Sequence, residues 1–560
     1  MGRRPTARIL IRLSKGILMF SRFFEPTSTR PCGLRIALAS SVLLAAASLA
    51  PTPALATPNT PAQDVTPQQR EKERLDAVDI PKLEWADCDD GVGQCATYRV
   101  PLDYDEPQGE QVELAVRKLS AGDPDERIGA LFLNPGGPGG SGQDIVRDAG
   151  DLLSAELLER FDVIGLDPRG TNGSSPLTCY DDAGEEAADV AELSEIMPAS
   201  GEAAEFTDTV RALGRECADD SLAASMSTAQ VARDMEVLRR SLDESTVSFL
   251  GWSYGTYVGQ TYRAMFPGSV RAVALDGVVD PAQWLGRRQG GVPMTVRSGV
   301  ADGQQDALDE LLDACAASAE CGLEDPHGTF ERVMSSLDEE PLVITEGDAT
   351  QEVTLGAFLH QIRLAMHDPS SVSQVPAMLA EIDQLLHERD AVSDEAVDPD
   401  ASAHPEAPDL ATGNPFAVNA AVMCSEGRHP QSLDSWNGRD RSAHGPGAYV
   451  QRYWLWQSAA CAGEAWTIDD EDAYTGGFAV PSDAPVLVVG SRHDPATPYA
   501  AAVAVAERTP NAALVTSDTW GHTAYGHSRC ATAAVDAYLL SADASAADTE
   551  CPDEKPPFEG

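Results

Sequence analysis

Six short aliphatic runs, each closed by a turn residue and most followed by a helix-like pattern, constrain this 560-residue chain more than any other feature. They are Ala130–Asn134 (ALFLN), Phe161–Asp167 (FDVIGLD), Val247–Gly251 (VSFLG), Val270–Asp276 (VRAVALD), Val486–Gly490 (VLVVG) and Ala512–Ser517 (AALVTS). A strand with one wet face alternates apolar and polar residues, whereas a strand buried on both faces does not. Unbroken apolar strands alternating with helices therefore predict an α/β fold with a mostly parallel sheet covered on both sides.

Between about Trp284 and Thr475 that rhythm stops. Helix-like segments such as Asp306–Ala317 and Phe358–Met366 take over, and Asp394–Asp409 holds six acids and three prolines with no Lys or Arg, the composition of a mobile loop. Strands resume at Val486, so the middle is expected to be a helical insertion capping the sheet's carboxyl edge, where open α/β sheets bind ligands. The expected boundaries are a leader at 1–56, a linker at 57–84, core at 85–284 and 476–551, the cap at 285–475, and a tail at 552–560.

Ile36–Ala50 is a 15-residue apolar run preceded by positive charge and followed by Ala54-Leu55-Ala56, a small-x-small cleavage signature. It reads as a secretory signal, too short for a comfortable span, with an uncleaved anchor as the alternative and Met19 as a second possible start. Contact with a membrane is then transient, through the signal peptide, and the chain ends outside the cell, free or held at the cell wall. Residues 1–56 hold eight basic side chains against Glu25, so the whole-chain charge of −49 understates the acidity of residues 57–560. So acidic a chain repels phosphate backbones, which argues against nucleic acid as a partner. Cleavage removes Cys32 and leaves ten of the 11 cysteines, an even number that in an exported protein reads as disulfides. Sequence alone does not fix their connectivity; pairing of successive neighbours (Cys88/Cys95, Cys179/Cys217, Cys315/Cys321, Cys424/Cys461, Cys530/Cys551) is the simplest. No Cys/His spacing suits zinc, and His387-Glu388 lacks the second His of HExxH, so no metal site is expected.

Gly251-Trp252-Ser253-Tyr254-Gly255 fits G-x-S-x-G, with an apolar strand before it and a helical pattern over Thr256–Phe266 after it. Such a strand-to-helix elbow holds a serine in a strained turn with its hydroxyl exposed. The hydroxyl needs a base, and all ten histidines lie at or beyond His327, which permits the order Ser…Asp…His and excludes orders with His before Ser. His522, in Trp520-Gly521-His522-Thr523 after the last run, is the expected base, with His527 the alternative. Asp494, in His493-Asp494-Pro495-Ala496-Thr497-Pro498 after VLVVG, is the expected acid, with Asp276 the alternative. For the oxyanion, the amide of Tyr254 and that of Gly136 or Gly137, in Pro135–Gly142 (PGGPGGSG), are the expected donors. The same run fits G-x-G-x-x-G with Asp167 at the end of the next strand, a dinucleotide reading that would leave the serine elbow unexplained. No cofactor is expected.

Taken together, NPGGPGGSG (134–142), DPRGTNGSSPLTC (167–179), GWSYGTYVG (251–259), FPGSVRAVALDGVVDP (266–281) and the HDPATP and GHT segments within 486–530 resemble the secreted actinobacterial tripeptidyl aminopeptidases and their carboxylesterase-like relatives, in the prolyl-aminopeptidase group of α/β-hydrolases. The resemblance implies an α/β-hydrolase fold, a Ser253–Asp494–His522 triad and the glycine loop as the oxyanion side. Asn172 departs from the pattern, where glycine followed by a basic residue is expected. The family implies an exopeptidase acting on peptides from a free N-terminus, and such an enzyme needs acids facing the substrate amine; Glu426, beside Cys424, is the candidate. The alternatives are an esterase or lipase with the same triad, and a catalytically silent surface protein. A monomer is expected.

Overall fold

The computed structural model describes residues 66–558, apart from 195, 199–202, 347–348, 392–412, 446 and 545–548, together with Ile9–Leu10. The apolar run at 36–50 and the acid-rich stretch at 394–409 lie outside the described residues. Among those described, no helix is long and apolar enough to cross a membrane.

Ten strands form one sheet: β1 (Ala86–Asp87), β2 (Gln94–Pro101), β3 (Gln111–Leu119), β4 (Gly129–Asn134), β5 (Phe161–Leu166), β6 (Val247–Trp252), β7 (Val270–Asp276), β8 (Val486–His493), β9 (Ala512–Trp520) and β10 (Thr549–Cys551). Their order is β10-β9-β8-β7-β6-β4-β5-β3-β2-β1. Every pairing from β5 to β10 is parallel, and β1, β2 and β3 join antiparallel at the other edge. All six aliphatic runs are strands. β4 and β6 are buried along their whole length because helices cover both faces. Leu131, Leu133 and Leu250 point to one face, against helices Gly142–Arg147, Ala155–Arg160 and Arg529–Ser541. Phe132 and Phe249 point to the other, against Thr228–Ser241 and Tyr254–Met265. Each such fully buried side chain contributes about 1.5–3 kcal/mol, and the alternation fixes the register.

Between β7 and β8 the chain leaves the sheet and builds a mainly helical cap that includes helices Val300–Ala317, Pro326–Glu339, Leu355–His367, Val375–Ala391, Pro415–Ser425 and Ala448–Trp456, with one hairpin, Leu342–Glu346 and Ala349–Val353. A second excursion, helices Ala183–Leu193 and Ala203–Glu216 between β5 and β6, packs against it: Phe206 meets the Trp456 ring edge-on at 5.6 Å and Arg211 pairs with Glu464 at 3.1 Å. A cap expected at 285–475 alone leaves this segment out, since nothing in its amphipathic pattern says which layer it faces. The expected linker also differs, because Pro67–Asp76 is a helix with a Thr66/Gln69 capping box, docked by the buried Glu71–Arg233 pair at 2.7 Å.

Five disulfides join successive neighbours: Cys88–Cys95, Cys179–Cys217, Cys315–Cys321, Cys424–Cys461 and Cys530–Cys551.

Candidate active site

Ser253 ends β6 and begins helix Tyr254–Met265 with φ 56° and ψ −129°. A positive φ in a residue with a side chain costs about 1–3 kcal/mol and persists only where the surroundings impose it. Here the Ser253 N–H donates to Asp276 O at 3.0 Å, and its carbonyl accepts from Thr256 N at 2.9 Å and Thr256 Oγ1 at 2.6 Å. The flanking glycines are there for close approach: a Cβ on Gly251 would lie 2.5 Å from Gly255 O, and one on Gly255 would lie 2.3 Å from Asn134 O. Those contacts press the elbow onto the end of β4.

Asp494 follows β8 and His522 follows β9, and the structure brings them together. His522 Nδ1 lies 2.9 Å from both carboxylate oxygens of Asp494. Asp494 also accepts from Ala496 N and Thr497 N at 2.8 Å, Thr497 Oγ1 at 2.8 Å and Thr523 N at 3.2 Å. Burial works to raise the Asp494 carboxyl, but facing His522 and the loop amides it is held below the ordinary carboxylate range. Burial likewise opposes the His522 cation, yet Asp494 outweighs it and lifts the imidazole above the usual histidine value. His522 sits between two left-handed residues, Gly521 (φ 99°) and Thr523 (φ 71°), which turn its side chain toward Asp494. His527 is exposed, five residues beyond this turn.

Asp276 occupies a different place from the one its alternative role requires. Wholly buried, it accepts from Ala524 N at 2.9 Å and Tyr525 N at 2.7 Å and so anchors the loop that carries His522. Burial pushes its carboxyl up to about 6.

In the glycine loop, the Gly136 N–H donates to Asn134 Oδ1 at 3.0 Å and is thereby engaged. Among the described residues the amides of Gly137 and Tyr254 have no such partner. A Cβ on Gly136 (φ 93°) would lie 2.5 Å from Trp252 O and 2.9 Å from Tyr254 N, so the loop's bare backbone sits directly on the elbow. Of the two expected glycines, Gly137 is the one left able to donate. The base of the loop is organised by Asp167, whose carboxylate accepts from Ser141 Oγ, Gln143 N, Gln143 Nε2, Asn172 Nδ2 and Gly173 N at 2.6–3.1 Å. With those oxygens turned inward, Asp167 has no free edge for a ribose. Asn172 takes φ 45°, a conformation Asn tolerates where most residues do not, and its amide bridges Asp167 and Ser141.

Glu426 comes from the cap and meets the elbow's helix. It accepts from Thr228 N at 3.0 Å, Thr228 Oγ1 at 2.5 Å and Tyr257 OH at 3.2 Å. Three donors and the first turn of helix Thr228–Ser241 favour the carboxylate, but burial dominates and pushes Glu426 up to about 7. Tyr254 OH shares Thr228 Oγ1 at 2.6 Å, and Trp284 packs on both Tyr254 and Tyr257 at 5.3 Å. Through the Thr228 hydroxyl the carboxylate is thus linked to the side chain of Tyr254, the residue that follows Ser253.

Four supporting residues escaped the sequence reading. Asn134 at the end of β4 and Thr497 three residues past Asp494 lie inside motifs already singled out. Thr228 and His367, whose carbonyl accepts the His522 N–H at 2.9 Å, carry no motif at all. No group of three or more His, Cys, Asp or Glu suited to a metal occurs among the described residues.

A strained serine on a strand-to-helix elbow, a His–Asp pair from the ends of β9 and β8 and free amides beside the serine define a serine hydrolase. Residues 129–313 match the alpha/beta hydrolase fold model and residues 447–551 the TAP-like protein model. The chain is 28% identical over 489 residues to the tripeptidyl aminopeptidase of Streptomyces coelicolor, covering 84% of this chain and 86% of that one. It is 29% identical over 499 residues to the serine protease Hip1 of Mycobacterium tuberculosis (84% and 91% covered). It is also 30% identical over 490 residues to carboxylesterase B of the same organism (83% and 88% covered). The chain belongs to the α/β-hydrolase family, in the branch with a TAP-like C-terminal region.

Proposed function

We propose that this chain is an exported serine exopeptidase that releases short peptides from a free N-terminus through an acyl-enzyme on Ser253. The observation that carries the reading is Glu426, a carboxylate presented by the cap beside Tyr254, Tyr257 and Trp284. A carboxylate among aromatic rings suits an ammonium group, by charge and by cation–π attraction. An acyl chain would gain nothing from it. Export is supported by the apolar run at 36–50 and the five disulfides.

With Nδ1 of His522 facing Asp494, Nε2 is left to take the Ser253 proton as Oγ attacks the scissile carbonyl carbon. The N–H groups of Tyr254 and Gly137 receive the oxyanion, a contribution of about 2.7–4 kcal/mol per donor in comparable sites. When the C–N bond breaks, His522 returns its proton to the leaving amine. A water deprotonated by His522 then attacks the acyl ester, and the peptide acid departs as Oγ regains a proton. Asp494 keeps the imidazole in the required tautomer and stabilises its cation without taking the proton.

The second reading is a carboxylesterase with the same machinery, favoured by the likeness to carboxylesterase B. The test is turnover of a free-amine tripeptide anilide, its N-acetyl twin and a short-chain ester by residues 57–560 and by Ser253→Ala. Hydrolysis confined to the free-amine peptide and lost in the variant is the expected result, and turnover of the ester alone would make the protein an esterase.

A further inference from the structure

We propose that Arg363 is an anion subsite on the leaving-group side of His522, one that takes a carboxylate carried by the departing part of a peptide. The proposal rests on the peptidase reading above and names the substrate end opposite Glu426.

Helix Leu355–His367 of the cap ends against the catalytic loop. The carbonyl of His367 accepts the His522 N–H at 2.9 Å, and the two imidazole rings lie 4.9 Å apart. One turn earlier, Arg363 Nη1 lies 2.9 Å from His367 Nε2 and Arg363 Nε lies 3.0 Å from Tyr453 OH. An arginine can only donate, so His367 Nε2 is the acceptor and His367 is the Nδ1–H tautomer. The guanidinium also faces the Trp454 ring at 5.9 Å. Its fork is therefore fixed on three sides by neutral groups.

What is missing is a counter-charge. The chain has 89 acidic residues to 40 Lys and Arg, and several of its enclosed arginines are paired with an acid. Arg169 pairs with Asp234, Arg233 with Glu71 and Arg452 with Asp338, each at 2.7 Å. Enclosed arginines without an acid fill their forks with backbone carbonyls instead, as Arg297 and Arg271 do. Among the described residues Arg363 has neither a carboxylate within 4.0 Å nor a carbonyl, and its Nη2 has no acceptor. A half-buried guanidinium held in place and left uncompensated is the arrangement that receives an incoming carboxylate through charge-assisted hydrogen bonds.

Its position says which carboxylate. A histidine that takes the serine proton and hands it to the leaving amine stands between nucleophile and leaving group, so groups packed on its far side meet the departing portion. Glu426 lies by Tyr254 and Tyr257, on the elbow's helix, and Arg363 lies beyond His522. A short peptide bound across the site would set its ammonium at one end and its carboxylate at the other, matching both charges. The carboxylate could be the free C-terminus of a short peptide or the side chain of an acidic residue just after the cut.

The experiment measures kcat/KM by mass-resolved product formation on alanine tri-, tetra- and pentapeptides as free acids, the same peptides as C-terminal amides, and amides ending in Asp, with a free-amine tripeptide anilide and a short-chain ester alongside. The expected result is a preference of about tenfold or more for acid over amide at one length, carried by KM. Arg363→Gln should bring that ratio to about one, and Arg363→Lys should restore part of it. Rescue of the amide by a terminal Asp would assign the subsite to acidic side chains, and no rescue would assign it to the C-terminus. An acid-to-amide ratio near one in the wild type, or an equal ratio in wild type and Arg363→Gln, would overturn the subsite while anilide turnover leaves the peptidase reading intact. Ester turnover with no peptide cleaved would overturn both.

Discussion

The sheet edge and the cap hold their parts of the site by different means. At the sheet edge the anchoring is mostly through backbone groups: Thr256 on the Ser253 carbonyl, Ala496 and Thr497 on Asp494, the Gly136 amide on Asn134, and the Ala524 and Tyr525 amides on Asp276. On the cap side a few contacts cross large gaps in the chain, Thr228 to Glu426 over 198 residues and His367 to the loop of His522. Backbone anchoring fixes the reacting atoms rigidly, as catalysis requires. A side chain such as that of Glu426, brought in by a separate layer, is easier to vary, which suits selecting the substrate.

If that division holds, edge substitutions should abolish turnover and cap substitutions should change which substrate is turned over. Ser253→Ala should lower kcat by about 10⁴-fold or more with unchanged unfolding temperature. Asp494→Asn should cost about 10³–10⁴-fold, by loss of the correct tautomer. Asp276→Asn, which loosens only the loop that carries His522, should cost about tenfold; an effect as large as that of Asp494→Asn would exchange the roles of the two acids. Gly136→Ala would drive a methyl against Trp252 O and Tyr254 N at a positive φ and should cost about 10²-fold in kcat. At Gly139 (φ 93°) the added methyl would meet only the cap's Val418 side chain at 3.0 Å, leaving the backbone strain of a positive φ as the main cost, so Gly139→Ala should cost less than Gly136→Ala, about tenfold in kcat.

The same division decides what could be read from the amino-acid order. The aliphatic runs gave away the parallel strands because burial on both faces leaves no polar alternation, and the elbow, Asp494 and His522 followed from their places at strand ends. The antiparallel edge was not foreseen, since β2 (QCATYRVP) and β3 (QVELAVRKL) mix polar and apolar residues as half-wet strands do. Asn172 looked like a departure and proved an adaptation, its amide joining Asp167 and Ser141 from a left-handed turn. Gly136 and Gly137 could not be separated until the acceptor on Gly136 was visible. His367 and Thr228 were out of reach because their roles depend on a packing of cap on core that no local pattern encodes. Glu426 was singled out by asking what a substrate amine requires, not by any spacing, and the structure places it on Thr228 and Tyr257.

The sharpest probe of the cap is pH. Turnover of any substrate needs neutral His522, and because Asp494 lifts that imidazole above the ordinary histidine value, the acid limb of kcat/KM should lie above about 6.5 for ester and peptide alike. Glu426 adds a second limb for free-amine substrates alone. Burial pushes its carboxyl up to about 7, so below that pH it is protonated and cannot pair with an ammonium, and above it the carboxylate forms. The ratio of free-amine to N-acetyl peptide turnover should therefore rise as pH climbs through about 7 and fall again as the substrate amine loses its proton near pH 8. Glu426→Gln should flatten that ratio across the range and lower free-amine kcat/KM by about 10–100-fold, with ester turnover changed several-fold at most. A ratio that keeps its pH dependence in Glu426→Gln would place amine recognition on another residue, and the contrast between edge and cap would then rest on Arg363.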